Sequence, residues 1–172
     1  MKKLFVSAIS FFCFASVFAQ EDVKYPRYNV GFGLGIDYGG IGGRLSVLPV
    51  SQVAVFGGLG YNLNGAGYNV GAAYRLSPAK RFCPYVIGMY GYNAVIIVSG
   101  SKSSNRTYYG PSVGMGFEKH KSAGSKNYFN FEVLVPFRSS AYKKYKDDLE
   151  DDTNSKIISL PIAISIGYHV GI

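Results

Sequence analysis

The chain has 172 residues, with 18 Lys and Arg against 10 Asp and Glu, 22 Gly, 15 Tyr and no Trp. That length suits one domain, and so much Gly and Tyr without a long apolar helix is unusual for a soluble enzyme. Of the two cysteines only Cys83 lies beyond the N-terminal segment, which excludes an intramolecular disulfide scaffold.

Residues 1–19 have the features of a secretory signal peptide. Lys2 and Lys3 form a positive start, Leu4 to Phe18 is apolar apart from Ser residues and Cys13, and Val17-Phe18-Ala19 offers a cleavage site. The stretch is shorter than the roughly 20 residues of a spanning helix. Cys13 follows Phe12 and lacks the small preceding residue of a lipoprotein signal. Cleavage after Ala19 leaves residues 20–172 as one domain. Loss of Lys2 and Lys3 takes 18 basic residues to 16, against 10 acidic, a net charge of +6. For an exported chain this basic balance points to anionic lipid head groups and away from nucleic acid.

Eight stretches then alternate with period two, the pattern of strands. The first places Tyr28, Val30, Phe32, Leu34, Ile36 and Tyr38 on one face, against Asn29, Gly31, Gly33, Gly35 and Asp37. The second sets Ile41, Gly43, Leu45 and Val47 against Gly42, Arg44 and Ser46; the third sets Val53, Val55, Leu59 and Tyr61 against Ala54, Phe56, Gly58 and Gly60. The fourth sets Tyr68, Val70, Ala72, Tyr74 and Leu76 against Asn69, Gly71, Ala73 and Arg75. The fifth, about 83 to 98, has Tyr85, Ile87 and Met89 on one face and Val86, Tyr90 and Tyr92 on the other. A bulge near Gly88 or Gly91 would switch its phase. The sixth sets Tyr109, Pro111, Val113, Met115 and Phe117 against Ser112, Gly114, Gly116 and Glu118. The seventh sets Phe129, Phe131, Val133, Val135 and Phe137 against Tyr128, Asn130, Glu132 and Leu134. The last, from Ile158 to Ile172, sets Ile and Tyr residues against Ser, Gly, Ala and His169.

One face is apolar and the other is small. If the apolar face pointed inward, as in a soluble barrel, the outside would be Gly, Ser and Ala with few charges, and Gly weakens a water-facing strand. With the apolar face outward the pattern fits lipid. No charged residue falls on the apolar phase of these stretches, where Lys or Arg near the bilayer midplane costs roughly 2 to 4 kcal/mol. Aromatics gather near strand ends as two girdles: Tyr28, Tyr38, Tyr61, Tyr68, Tyr74, Tyr85, Tyr109, Phe117, Phe129, Phe137 and Tyr168. Strands in lipid must close, because an open edge leaves backbone groups unpaired. The expected fold is therefore all-β: a closed eight-stranded antiparallel transmembrane β-barrel.

The signal peptide, the eight alternating strands with a Gly-rich inward phase, PYVIGMYGYN in the fifth strand and GPSVGMGFE in the sixth resemble the small outer-membrane β-barrel proteins of Gram-negative bacteria. OmpA, OmpX and OmpW share the shape, and the short porin-family barrels of Bacteroidetes are the most similar group. The chain departs from the pattern in ending at Ile172 rather than at an aromatic residue. The resemblance implies a bacterial outer-membrane location, a monomer, both termini in the periplasm, and contact with outer-membrane lipids and lipopolysaccharide. The connectors LPVSQ, SPAKRF and EKHKSAGSKN then face the periplasm, and the long charged loop faces outside.

The inward phase carries Asp37, Arg44, Arg75, Glu118 and Glu132. Unpaired charges in a narrow interior are costly, so a polar network is expected, centred on Arg44 and Glu132. A filled interior points to a structural or surface-interaction role, with residues 138–156 as the surface for a partner. Binding or transport of a small hydrophobic ligand is the alternative. A lipid A-modifying enzyme would need His120, Ser122 and Glu132 together, but the first two fall in an apparent turn and the third faces inward. Two distant His residues make no metal site, and no cofactor motif is present.

Overall fold

The computed structural model describes residues 26–96, 105–153 and 160–172. The expected signal peptide and Ile158 lie outside them. The strands are β1 Tyr28–Gly35, β2 Gly40–Val50, β3 Val53–Tyr61, β4 Ala66–Arg75, β5 Phe82–Ile96, β6 Arg106–His120, β7 Tyr128–Pro136 and β8 Ala163–Gly171. Each pairs antiparallel with the next, and β8 pairs with β1 from Asn29↔Gly171 to Leu34↔Ile166, so the sheet closes on itself. A helix, α1 at Ser140–Thr153, lies between β7 and β8. The β2–β3, β4–β5 and β6–β7 connections share one end of the barrel with the start of β1 and the end of β8; the remaining connections lie at the other.

The period-two pattern becomes a two-faced wall. Phe32 (69 %) and Met115 (67 %) stand out from it, as do Leu59, Ile164 and Ile166, while Asn29, Arg44, Ser46, Asn69, Ser112 and Ser165 are buried inside. No soluble monomer needs an apolar belt that encircles it.

Four local features differ from the sequence expectation. First, β1 stops at Gly35, and Ile36–Tyr38 forms a 3-10 turn that folds into the barrel. Gly35 (φ 142°) and Gly39 (φ 71°) make the entry and exit in backbone conformations that a residue with a Cβ resists. Tyr38 is therefore wholly buried, not part of a girdle, and Ile36 is inside as well. Second, β5 turns Tyr85, Ile87 and Met89 inward and Val86 and Tyr90 outward. Tyr85 is thus also an interior residue rather than a girdle residue. The irregularity lies between Tyr92 and Ala94, where Asn93 is the extra residue opposite Tyr109 and Tyr108.

Third, β6 runs on to His120, so Lys119 falls on the outward face and His120 on the inward one. The outward phase does carry a cation, at the strand's end. Fourth, the 138–156 segment is more than a solvated loop, because it contains α1. The β5–β6 hairpin continues past the last β4–β5 pair, Asn69↔Gly91, and the last β6–β7 pair, Ser112↔Pro136. On that projecting arm Ala94, Ile96 and Tyr108 pack against Tyr142, Tyr145 and Leu149 of α1. Arg106 stacks on Tyr145 at 4.1 Å. Because α1 packs on the arm, deleting residues 140–152 is expected to leave the barrel closed. The variant will still change gel mobility on heating, and a product that migrates as unfolded without heating would make α1 part of the barrel's core.

The inward turn explains where the glycines lie. A Cβ on Gly33 would strike the Tyr38 ring at 2.7 Å, and one on Gly167 would meet Tyr38 Cζ at 2.5 Å and Asn130 Oδ1 at 2.9 Å. Gly58 and Gly60 face the backbone of Asp37 and Tyr38. Gly167→Val is expected to lower stability by about 1 to 3 kcal/mol through overpacking, read as an earlier denaturant midpoint in detergent. An unchanged midpoint would mean that the turn moves aside freely.

Candidate functional site

The lumen is filled from both sides of the molecule. Apolar side chains from β2, β3, β5 and β7, among them Leu48, Phe56, Ile87, Met89 and Leu134, form one buried cluster with Ile36 of the turn. Asn69 of β4 donates to the Ile36 carbonyl, which anchors the turn to the opposite wall.

The charged groups sort into two clusters. In the first, Arg44 Nη1 donates to Asp37 Oδ2 at 2.9 Å and to Glu132 Oε1 at 2.7 Å, with all three side chains no more than 5 % exposed. The guanidinium lies 3.7 Å from the centroid of Phe56. The Tyr85 hydroxyl donates to the same Glu132 oxygen at 2.6 Å, and Asn130 Nδ2 donates to it at 3.1 Å. Three donors on one carboxylate oxygen form a cross-barrel knot joining β2, β5 and β7. Tyr38 extends it: its hydroxyl donates to Asn130 Oδ1 at 2.8 Å and lies 2.6 Å from His169 Nε2. A hydroxyl that donates to Asn130 accepts from His169, which puts that imidazole's proton on Nε2. The His169 ring stacks on Tyr128 at 4.7 Å.

The second cluster lies toward the end that carries the termini. Arg75 donates to Glu118 Oε2 through Nη2 at 2.6 Å and Nε at 3.1 Å, and through Nη1 to the Ser51 carbonyl at 2.9 Å. His120 places Nε2 3.1 Å from Glu118 Oε2 and Nδ1 2.8 Å from the Ser125 carbonyl oxygen.

The structure therefore brings Asp37, Arg44 and Glu132 together and sets Arg75 and Glu118 apart as their own pair. Sequence periodicity did not identify Tyr38, Tyr85, Asn130, His120 or Tyr128 as their neighbours. Gly35 and Gly39-Gly40 bracketing Ile36-Asp37-Tyr38 were the available signal, a short turn with glycine on both sides. Among the expected girdle residues, Tyr28, Tyr61, Tyr68, Tyr74, Phe129, Phe137 and Tyr168 stand outward and exposed, and Tyr109 and Phe117 are half-buried. Tyr68 and Tyr109 stack at 4.7 Å. His120 binds Glu118 and Ser125, while Ser122 is exposed in the β6–β7 turn and Glu132 sits in the Arg44 knot, so no Ser-His-Glu relay forms among them. Among the described residues no three His, Cys, Asp or Glu side chains gather as metal ligands.

A closed eight-stranded antiparallel barrel with an apolar outer belt and a plugged polar interior is a small barrel of the outer-membrane type, the OmpA-like architecture to which the sequence resemblance pointed. The N-terminal β-barrel domain of Pseudomonas aeruginosa OprF, known from a crystal structure, superposes with a TM-score of 0.51 at 12 % identity, over 84 % of this chain and 96 % of that one. At that identity the likeness concerns the fold. No protein-family model matches the chain, and no curated protein does either.

Proposed function

We propose that this chain is an integral barrel of a bacterial outer membrane that serves a structural or surface-interaction role and does not form an open pore. The supporting observation is the pairing of an outward belt of exposed apolar side chains with a lumen crossed by the Arg44–Asp37, Arg44–Glu132 and Tyr38–Asn130 bonds. An apolar belt of this kind is stable facing lipid and costly facing water. Among the described residues no helix is long and apolar enough to cross a membrane, so strands do the crossing in this reading. An even number of strands puts both termini on one side; in this reading that side is the periplasm, and α1 lies at the outer surface. There the exposed Lys143, Lys144, Asp147 and Asp148 offer a charged face to a partner. Gel mobility of the protein from outer-membrane fractions, with and without boiling, tests the reading. A heat-dependent shift in membrane fractions is expected. A soluble periplasmic protein with no shift would overturn it.

A further inference from the structure

We propose that the cleft on the outer face of β6 and β7, at the end carrying the chain termini, holds the phosphate of an anionic phospholipid. One acyl chain lies against Phe117, Phe129 and Phe131. This rests on the membrane reading above and adds a specific lipid site to it.

The cleft has a volume of about 630 Å³ and lies on the outside of the wall, between the ends of β6 and β7. Its floor is aromatic. Register places Lys119 between Phe82 of β5 and Phe129 of β7, with Tyr168 of β8 beyond, and the next outward row pairs Phe117 with Phe131. Phe82 and Phe117 stack at 4.8 Å, and Phe117 and Phe131 at 5.7 Å. Its rim is cationic. Arg81, Lys119 and Lys121 line it, and Arg81 is tied to the end of β6 by donating from Nε to the His120 carbonyl at 3.2 Å. Among the described residues no carboxylate lies within ion-pair distance of these three cations. Glu118, next in sequence to Lys119, faces inward and is bound to Arg75.

Three cations with no anion among the described residues, above an apolar aromatic floor, match the two halves of one ligand. Phosphate takes charge-assisted hydrogen bonds from Lys and Arg, and an acyl chain covers rings that water would otherwise face. The stems of Lys119 and Lys121 can lie along the rings with their ammonium groups at the water boundary. Basic residues at that boundary are drawn to anionic lipid. The other end of β6 differs, because its cation Arg106 is already stacked on Tyr145 of α1.

Native mass spectrometry of the full mature protein tests this. The protein is released from vesicles of mixed phosphatidylglycerol and phosphatidylcholine into a delipidating detergent. Wild type is expected to retain phosphatidylglycerol in preference to phosphatidylcholine. Lys119→Gln with Lys121→Gln, which keeps the rings and the Arg81 bond, is expected to lower retention roughly tenfold, as loss of charge-assisted contacts does. Lys119→Arg restores it, and Lys143→Gln with Lys144→Gln on α1 leaves it unchanged. Equal retention of both lipids, or wild-type retention by the Gln pair, overturns the proposal. Displacement by lipopolysaccharide, or a protein dimer with the cleft closed and no lipid, overturns it as well. Vesicle flotation and the heat-shift assay separate the two levels: a protein that floats and shifts but shows no lipid preference refutes the site alone, while one that does neither refutes the membrane reading too.

Discussion

Arg44→Met is expected to destabilise the barrel by about 3 to 5 kcal/mol, because it leaves two buried carboxylates without their cation. Asp37 and Glu132 are both 0 % exposed and both bind Arg44 Nη1. Met keeps much of the stem's contact with Phe56, so the loss isolates the charge. Tyr85 and Asn130 still donate to Glu132, but they do not neutralise it. The measurement is the urea midpoint of the protein in detergent micelles. The compensating variant Arg44→Met, Asp37→Asn, Glu132→Gln is expected to recover more than half of the loss, since removing a whole buried ionic group costs less than orphaning part of it. If the single variant unfolds at the wild-type midpoint, the knot contributes nothing and water reaches the carboxylates.

Tyr38→Ala is expected to have the other large effect, on both stability and permeability. The ring fills the space left by Gly33 and Gly167. Its hydroxyl joins β7 and β8 to the turn through Asn130 and His169. Truncating a buried aromatic to Ala costs about 3 to 5 kcal/mol. Tyr38→Phe keeps the ring and removes only the hydroxyl, for about 1 to 3 kcal/mol. In planar bilayers the wild type and Tyr38→Phe are expected to stay closed and Tyr38→Ala to conduct. A stable large conductance in the wild type would refute the plugged lumen, and a closed Tyr38→Ala would move the plug to the Arg44 knot or to the β5 side chains.

The inward turn and the β5 phase escaped the sequence pattern for different reasons. Period two assigns a side chain to a face only while the chain stays in a strand. At Gly35 the backbone leaves the strand, and Ile36, Asp37 and Tyr38 all become buried, whatever their parity. In β5 both alternating sets are large and apolar, so hydropathy does not distinguish lipid-facing from lumen-facing residues. The hydrogen bond of Tyr85 to Glu132 and the room opposite Gly116 do.

From the sequence alone came the eight strands, their antiparallel order, the outward apolar belt and the inward position of Arg44, Arg75, Glu118, Glu132 and His169. Each of these follows from local alternation and from the cost of placing charge in an apolar surrounding. Which charges pair was decided only in the tertiary structure: the inward turn brings Asp37 to Arg44, closure through the β1–β8 seam brings Glu132 of β7 across the lumen to Arg44, and the β4–β5–β6 register leaves Arg75 to Glu118. The aromatic floor beside Lys119 likewise needs register across four strands. Such pairings join residues as far as 88 positions apart, and strand alternation carries no information across that distance.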